Sequence, residues 1–328
     1  MIKPRPILLL AAAAALTSGS ARAVIVGGAN GDGLGNATES GLQSFLATES
    51  LPAFSYWSNL LRVSDSSGIY LGIGESNGRG WVMTATHVTP LTVGTSTITV
   101  AGQAYVVRGS QVITHTDLSG TYSTDIRLYA IGGNVGDPAL PTLSAVQLLS
   151  GNVDLGDSVL MTGRGRRLQG PPEDTTAPYS WDMGFDEANQ ITRQMRWGSN
   201  IVDYNGFYLD EGSPTPTKRT VCFATDFDDP TAGGTGYEGQ LALLDSGGGA
   251  FVLRGGAWWL AGTGYTVDDG PDADTAINPA GYGDYSIMTH LPTYRSQILS
   301  ITGNLVPEPS AGILVVGSFV GLIFRRRR

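Results

Sequence analysis

The chain has 328 residues, of which 46 are glycine and 15% are charged, and its formal net charge is −9. This length is sufficient for one large or two modest domains with a sizeable core. The acidic balance, with four of the arginines at the extreme C-terminus, argues against a nucleic-acid-binding protein. The many short apolar runs separated by Gly, Asp, Asn, Ser and Thr predict an all-β fold with many turns.

The N-terminus is typical of a secretory signal. A basic start precedes an apolar, alanine-rich stretch at 7–16 and the sequence A-R-A at 21–23, which is an A-x-A cleavage site. A buried first helix is the alternative interpretation, and the basic start and small-residue exit disfavour it. We therefore expect an exported protein, with residues 1–23 removed and Val24 at the new terminus.

The mature chain begins with residues 24–52, which are rich in Gly, Asn, Ser and Thr, and strands follow in residues 53–135. These strands are predicted at Gly68–Ile73, Trp81–Ala85, Thr95–Val100, Ala104–Arg108, Gln111–Thr114 and Ile126–Ile131. Six strands are enough to close one small barrel. The segment Asn134–Ser150 is predicted to cross from this barrel to the next.

A second set of strands is predicted in residues 136–303. These strands are at Ser158–Thr162, Ile191–Trp197, Phe207–Leu209, Thr220–Ala224, Gly249–Leu253, Ala257–Gly264 and Tyr285–Met288. A short helix is predicted at Pro292–Ile301, and long loops at 170–182 and 226–239. A third loop, at 268–274, is dense in carboxylates, which suit calcium. Its spacing fits no EF-hand, and a solvated acidic loop is the favoured interpretation.

Three segments carry residues suited to nucleophilic catalysis. The apolar run at 80–88 ends in small residues and His87, and the run at 124–131 begins with Asp125 and then alternates like a strand. The run L-L-D-S-G-G-G at 243–249 places Ser246 before three glycines. A serine hydroxyl is a poor nucleophile unless a base takes its proton and the backbone presents it. The order His87, Asp125, Ser246 is that of a base, an orienting acid and a nucleophile.

In this order the segments resemble the T-A-A-H, D-I-x-L and G-D-S-G-G-P motifs of the chymotrypsin-like (trypsin-like) serine proteases. The run at 283–288 resembles the family's G-V-Y-T-x-V strand, and the run at 156–163 resembles the strand that opens its second barrel. The likeness covers most of residues 60 to 300. It implies two six-stranded antiparallel β-barrels with a short C-terminal helix. It also implies a serine endopeptidase that hydrolyses peptide or protein substrates without a cofactor or metal.

The resemblance also implies a role for each residue. Asp125 accepts the Nδ1 proton of His87, Nε2 faces Ser246, and Ser246 forms an acyl-enzyme that water resolves. The backbone N–H groups of Leu244 and Ser246 make the oxyanion hole. Leu244 stands where the family has glycine, and this difference puts the strength of catalysis in question. Two milder differences are Thr86, where the family has alanine, and Gly249, where the family has proline.

Leu244 motivates an alternative function, a catalytically weak or inactive protease-fold surface protein that binds its partner. A β-rich adhesin whose motifs are accidental is a third interpretation. Asp245 either caps its turn or, as in the family, pairs with the freed amine of an I-V-G-G sequence, found here at 25–28. Gln240 takes the position of the family's substrate-pocket floor, and because it is not an aspartate, a preference for Lys or Arg is not supported.

The remaining candidate residues have plainer interpretations. His115 and His290 lack the motif around His87 and are expected to be surface or structural residues. Asp117 is the rival of Asp125, but no D-I-x-L strand follows it. Cys222, the single cysteine, cannot form an internal disulfide. It is expected to be a small buried apolar residue rather than a catalytic one.

Residues 304–328 form a separate module. The sequence V-P-E-P at 306–309 precedes an apolar stretch at 311–324 and four arginines at 325–328. The apolar stretch is shorter than the ~20 residues of an unassisted membrane helix, and a plain C-terminal anchor is the alternative. The arrangement resembles the PEP-CTERM sorting signal. This implies a hydrophobic helix that anchors the protein in the membrane, an exosortase-type sorting enzyme as partner, and then a cell-surface or extracellular destination in a Gram-negative-type envelope.

Overall fold

The computed structural model describes residues 24–26, 35–165, 180–182, 194–212, 214–228, 234–242, 244–268 and 279–306. The predicted signal peptide, the glycines at 27–28 and the tail beyond Val306, with its predicted sorting helix, lie outside these ranges. So do most of the predicted loops at 170–182 and 268–274 and part of the loop at 226–239. Within the described ranges, no helix combines the length and apolar character that a membrane crossing requires.

The N-terminal segment contains a helix that its polar composition did not predict. The elements before the barrels are β1 (Ile25–Val26), a 3-10 turn at Gly35–Ala37, α1 (Glu39–Thr48) and a second 3-10 turn at Trp57–Asn59. The hydroxyl of Thr38 accepts a 3.1 Å hydrogen bond from the N–H of Gly41 and caps α1. Leu42 and Leu46, one turn apart, are buried against the core. This cap and the burial of these two leucines stabilise the short helix.

The first barrel contains six antiparallel strands. They are β2 (Leu60–Val63), β3 (Ser66–Gly74), β4 (Gly80–Thr84), β5 (Thr97–Val100), β6 (Gln103–Asp117) and β7 (Gly120–Ile131). The order across the sheet is β2-β3-β4-β7-β6-β5, and β2 and β5 lie next to each other at its two ends. Their inward side chains form an apolar cluster that includes Tyr70, Val82 and Tyr129.

Two of the predicted strands in this barrel are wrong. The strands expected at 104–108 and 111–114 are one strand, β6, whose pairing with β7 shifts register between Val107 and Gly109 and again between Val112 and Thr114. A bulge interrupts the alternation of side chains without ending the strand, so the pattern divided one strand into two. The sixth strand is instead β2, where no strand was predicted.

The second barrel also has six strands and is closed by hydrogen bonds. The strands in this part of the chain are β8 (Ser158–Gly163), β9 (Ser180–Asp182), β10 (Arg196–Glu211), β11 (Lys218–Asp226), β12 (Gly239–Gln240), β13 (Gly249–Arg254), β14 (Ala257–Asp268), β15 (Pro279–Gly281) and β16 (Tyr285–Thr289). The barrel order is β10-β8-β13-β14-β16-β11, and β11 pairs back to β10. Two short pairs, β1–β12 and β9–β15, lie outside this ring.

The longest strand of the second barrel corrects another prediction. Of the strands expected at 191–197 and 207–209, residues 196–197 and 207–209 belong to the single strand β10. Residues 196–201 pair with β8 and residues 202–211 pair with β11, with two register shifts in the second part. Because β10 changes partners along its length, it closes the barrel at one end and extends beyond it as a hairpin with β11 at the other.

The two barrels meet where β7 runs parallel to the start of β11. Ser123 lies opposite Lys218, and this pairing joins the barrels into one 13-stranded sheet. A common apolar cluster lies between them and includes Met83 and Leu128 from the first barrel and Phe251 from the second. The predicted all-β fold of two six-stranded antiparallel barrels is confirmed.

The C-terminal helix is the one that the sequence predicted. It is α2 (Leu291–Thr302), and Tyr294 and Ile298 are buried on its inner face. The Tyr294 hydroxyl accepts a 2.8 Å hydrogen bond from the N–H of Val221, which ties the helix to β11. After α2, β17 (Leu305–Val306) pairs with β3.

Candidate active site

The structure brings His87, Asp125 and Ser246 together between the barrels. His87 Nδ1 lies 2.8 Å from Asp125 Oδ2, and His87 Nε2 lies 2.6 Å from Ser246 Oγ. The backbone N–H of His87 donates a second bond, of 3.0 Å, to Asp125 Oδ1. Since one carboxylate thus holds both the ring and the backbone of His87, the imidazole is fixed with its second nitrogen towards the serine hydroxyl. This arrangement permits proton transfer from Ser246 to His87.

Asp125 is held by the second barrel as well as by the first. Its side chain is fully buried, and its backbone N–H donates a 3.0 Å hydrogen bond to the hydroxyl of Thr220 on β11. The rival carboxylate, Asp117, lies at the end of β6, where it accepts a 2.7 Å bond from Arg219. Asp125, not Asp117, is therefore the carboxylate that His87 contacts.

The electrostatic surroundings favour the charged form of His87. Burial of the imidazole on its own lowers the pKa of His87, but the negative charge of Asp125 and its hydrogen bond outweigh burial and raise the pKa above the usual value. The same carboxylate stabilises the imidazolium that would form when the ring takes a proton. The His87 side chain remains 30% exposed, so the ring is not sealed inside the protein.

Two glycines give the turn at Ser246 its shape. Gly247 has φ +80°, and a Cβ placed there would lie 2.4 Å from Thr84 Oγ1; a Cβ on Gly248 would lie 2.1 Å from the carbonyl oxygen of Thr162. Neither position has space for a side chain, so both require glycine. The carbonyl of Ser246 accepts a 3.1 Å bond from the N–H of Ser67, which fixes the serine on the side of the first barrel.

Leu244 adopts the backbone conformation that glycine would adopt. Its φ is +72°, in the left-handed region that costs an ordinary residue about 1–2 kcal/mol. Its carbonyl oxygen accepts hydrogen bonds from the hydroxyls of Ser66, at 3.2 Å, and Ser67, at 3.1 Å. These bonds stabilise the carbonyl in this orientation and offset part of the strain. The role of the Leu244 and Ser246 N–H groups as an oxyanion hole stays a prediction.

Asp245 is buried beneath the serine turn. One carboxylate oxygen accepts a 3.0 Å bond from the N–H of Ala242, and the other accepts a 3.0 Å bond from the N–H of Gly165. Burial raises the pKa of Asp245 well above its usual value, although these two bonds lower it. The bond to Ala242 lies within the turn that precedes Ser246. Pairing of Asp245 with a freed N-terminal amine stays a prediction.

Gln240 is buried beside the start of β16. Its Nε2 donates a 3.2 Å hydrogen bond to Asp284 Oδ2, and its backbone lies opposite Ile25 in the β1–β12 pair. Its predicted position on the floor of a substrate pocket is not tested by these contacts. The buried carboxylate of Asp284 is therefore in direct contact with the side-chain amide of Gln240.

The other candidate residues lie apart from the triad. His115 is buried on β6 with Nε2 3.7 Å from Asp117, and His290 precedes α2 with Nδ1 2.8 Å from the hydroxyl of Thr293. Cys222 is fully buried, and burial raises the pKa of its thiol well above the usual value. Among the residues described, no group of three His, Cys, Asp or Glu side chains could hold a metal ion.

Besides Thr220, three residues near the triad were not predicted from the sequence: Tyr265, Glu211 and Lys218. The ring of Tyr265 lies over His87, with centroids 6.0 Å apart and planes inclined by 25°. The Tyr265 hydroxyl donates a hydrogen bond to Glu211 Oε1, and Glu211 Oε2 pairs with Lys218 Nζ at 2.8 Å. Glu211 and Lys218 face each other at the end of the β10–β11 hairpin. The proximity of Glu211 and Lys218 follows from the pairing register of β10 and β11. The sequence could not predict it, because the sequence around these residues matches no motif.

Comparison with known proteins gives a likeness of fold. No protein-family model and no curated protein matches the chain. Among solved structures, the chain is similar to kallikrein-related peptidase 10, with 14% identity, a TM-score of 0.39, and coverage of 76% of this chain and 98% of that one. It is also similar to neuropsin, a serine protease expressed in the limbic system of mouse brain, with 14% identity, a TM-score of 0.44, and coverage of 76% and 97%.

Proposed function

We propose that this protein is a serine endopeptidase that hydrolyses peptide bonds in peptide or protein substrates. The observation that carries the proposal is the continuous hydrogen-bonded chain from Asp125 through His87 to Ser246. A buried carboxylate, a partly exposed imidazole and a half-buried hydroxyl are the components that activate a serine for acyl transfer.

The proposed reaction has two halves, and His87 acts first as a base and then as an acid in each of them. Ser246 Oγ attacks the scissile carbonyl while His87 Nε2 takes its proton, and Asp125 stabilises the resulting imidazolium. His87 then protonates the leaving amine, which departs and leaves an ester on Ser246. Water hydrolyses this ester with His87 again as the base. The N–H groups of Leu244 and Ser246 would stabilise the oxyanion, where loss of one donor costs on the order of 3 kcal/mol.

The proposed site of action is outside the cytoplasm. The signal at 1–23 would direct export, and the V-P-E-P sequence, apolar stretch and arginine block at 306–328 would retain the chain in the membrane until an exosortase-type enzyme sorts it. The product would be a cell-surface or extracellular protease. This part of the proposal is supported by the sequence alone.

One observation favours a second candidate function, a protease-fold protein that binds peptides with little or no turnover. Leu244, whose N–H is one of the two predicted oxyanion donors, occupies the left-handed region of backbone conformation, and strain there would shift this donor away from the developing charge. The triad is complete in both candidates, so measured turnover decides between them.

The test is covalent labelling of the mature protein with a fluorophosphonate, which reacts with activated serines. We expect labelling of the wild type, no labelling of Ser246→Ala, and strongly reduced labelling of His87→Ala. Circular dichroism and thermal unfolding of each variant confirm that the fold is retained. Folded wild-type protein that is neither labelled nor able to cleave a peptide library would contradict the endopeptidase proposal and favour the binding protein.

A further inference from the structure

The end of the β10–β11 hairpin lies beside His87 without belonging to the triad. Glu211 and Lys218 are directly opposite each other in the hairpin register, and their side chains form a 2.8 Å ion pair. The Glu211 side chain is 38% exposed and the Lys218 side chain 22% exposed. A simple surface ion pair of this kind contributes little to stability, so its position next to the catalytic base calls for another explanation.

Tyr265 connects this ion pair to His87. Its ring lies over the imidazole, it is 5% exposed, and its hydroxyl donates a hydrogen bond to Glu211. Burial and nearby carboxylates raise the pKa of Tyr265, so the phenol keeps its proton and remains a donor. Glu211 therefore fixes the ring that covers one face of the catalytic imidazole.

The hairpin is held in place by the first barrel. Lys218 lies opposite Ser123, two residues before Asp125, and the next residue, Arg219, forms a 2.7 Å ion pair with Asp117 at the end of β6. Because these contacts reach the strand that carries Asp125, the ion pair at the hairpin end has a fixed position relative to the triad. Glu211 and Lys218 also act on His87 through charge: Lys218 lowers the pKa of His87 and Glu211 raises it.

We propose that Glu211 is a positioning residue for the base: it holds Tyr265 against the His87 ring, and Lys218 fixes Glu211 in the orientation that does so. This inference rests on the proposed serine-protease function, since it assigns a role to a neighbour of the triad. It concerns the orientation and the charge environment of His87 and assigns no chemical step to Glu211.

The test separates the hydrogen bond from the charge. Glu211→Gln keeps an oxygen that can accept from Tyr265 but removes the charge, whereas Glu211→Ala removes both, and Tyr265→Phe keeps the ring but removes the donor. The matched control is Asp210→Asn. Asp210 is adjacent to Glu211 on the same strand, but it pairs with Arg219 instead, and successive side chains of a strand point to opposite faces.

Two quantities are measured on the full mature protein. One is the rate of fluorophosphonate labelling against pH, and the other is the NMR titration of the His87 ring, which does not depend on catalysis. The chain has only three histidines, so variants of His115 and His290 complete the assignment. At high pH we expect about tenfold slower labelling for Glu211→Ala and Tyr265→Phe, with Glu211→Gln restoring most of the wild-type rate.

In the titration we expect the His87 midpoint to fall in Glu211→Gln, to rise in Lys218→Met and to stay unchanged in Asp210→Asn. Wild-type labelling rates in Glu211→Ala and Tyr265→Phe, together with an unchanged midpoint in Glu211→Gln, would overturn the positioning role while leaving the protease function intact. Conversely, a protein whose His87 midpoint shifts as expected but whose Ser246 is never labelled would overturn the protease function, and the NMR data alone would then support the action of the hairpin on His87.

Discussion

The backbone N–H of Asp125 on β7 donates a hydrogen bond to the hydroxyl of Thr220 on β11, and this 3.0 Å contact crosses from the first barrel to the second. Both residues are fully buried. Ser246 belongs to the second barrel, whereas His87 and Asp125 belong to the first. A contact between barrels at Asp125 therefore helps to set the distance between His87 and Ser246.

Loss of the Thr220 hydroxyl should weaken both the fold and the site. Thr220→Val keeps the shape of the side chain but leaves the N–H of Asp125 buried without its acceptor, at a cost of about 1–3 kcal/mol. We expect this loss in the free energy of unfolding measured with urea, together with slower fluorophosphonate labelling. Thr220→Ser keeps the hydroxyl and is the control. Equal stability of the two variants would show that the bond between the barrels contributes nothing.

The left-handed conformation of Leu244 leads to a second prediction. Leu244→Gly should retain the fold and label at least as fast as the wild type, because glycine adopts φ +72° without strain. Leu244→Val should lose about 1–2 kcal/mol of stability and label more slowly, because β-branched residues tolerate this region worst. Thermal unfolding and labelling rates measure both effects. A valine variant as stable and reactive as the glycine variant would show that the strain at this position has no consequence.

The sequence was informative about the triad because each member lies in its own local motif. His87 ends an apolar strand, Asp125 begins an alternating one, and Ser246 precedes glycines, so the type and order of the groups could be read without knowing the fold. The distances from His87 Nδ1 to Asp125 Oδ2, 2.8 Å, and from His87 Nε2 to Ser246 Oγ, 2.6 Å, could not be predicted from the sequence. They depend on how the two barrels pack.

The neighbours of the triad were not predictable for the same physical reason. Tyr265 and Glu211 meet only because β14 and the β10–β11 hairpin pack together in a particular register. The support for Leu244 comes from the hydroxyl of Ser67, 177 positions away along the chain. From the sequence alone, leucine at this position put the strength of catalysis in question, and compensation by a distant residue had no local signature.

Gly248 offers the sharpest test of the turn that presents Ser246. A Cβ at this position would lie 2.1 Å from the carbonyl oxygen of Thr162 and 2.8 Å from that of Asp245, and both are backbone atoms that cannot move aside easily. Gly248→Ala should therefore cost about 3 kcal/mol or more and abolish labelling of Ser246. Gly151→Ala is the control, since a Cβ there would meet nothing within 4 Å. Similar urea midpoints for the two variants would contradict this account of the turn.

Two carboxyl groups of the second barrel predict how stability depends on pH. Burial and then the charges of Asp228 and Asp203 raise the pKa of Asp226 to about 7, and burial raises the pKa of Glu238 to about 7. Each group keeps a proton in the folded chain at pH values where the unfolded chain has lost it. Their stabilising contribution is therefore complete below about pH 4 and is lost as the pH rises through 7.

Asp226→Asn and Glu238→Gln, which stay neutral at every pH, should remove this part of the dependence. Thermal midpoints measured between pH 4 and 8 should fall more steeply for the wild type than for either variant, so the variants gain stability relative to the wild type as the pH rises. Asp65→Asn, on the first barrel, removes an exposed carboxylate and controls for the change in net charge. If Asp226→Asn and Glu238→Gln parallel the wild type over this range, both carboxyls are ionised in the folded protein, and burial does not dominate their environment.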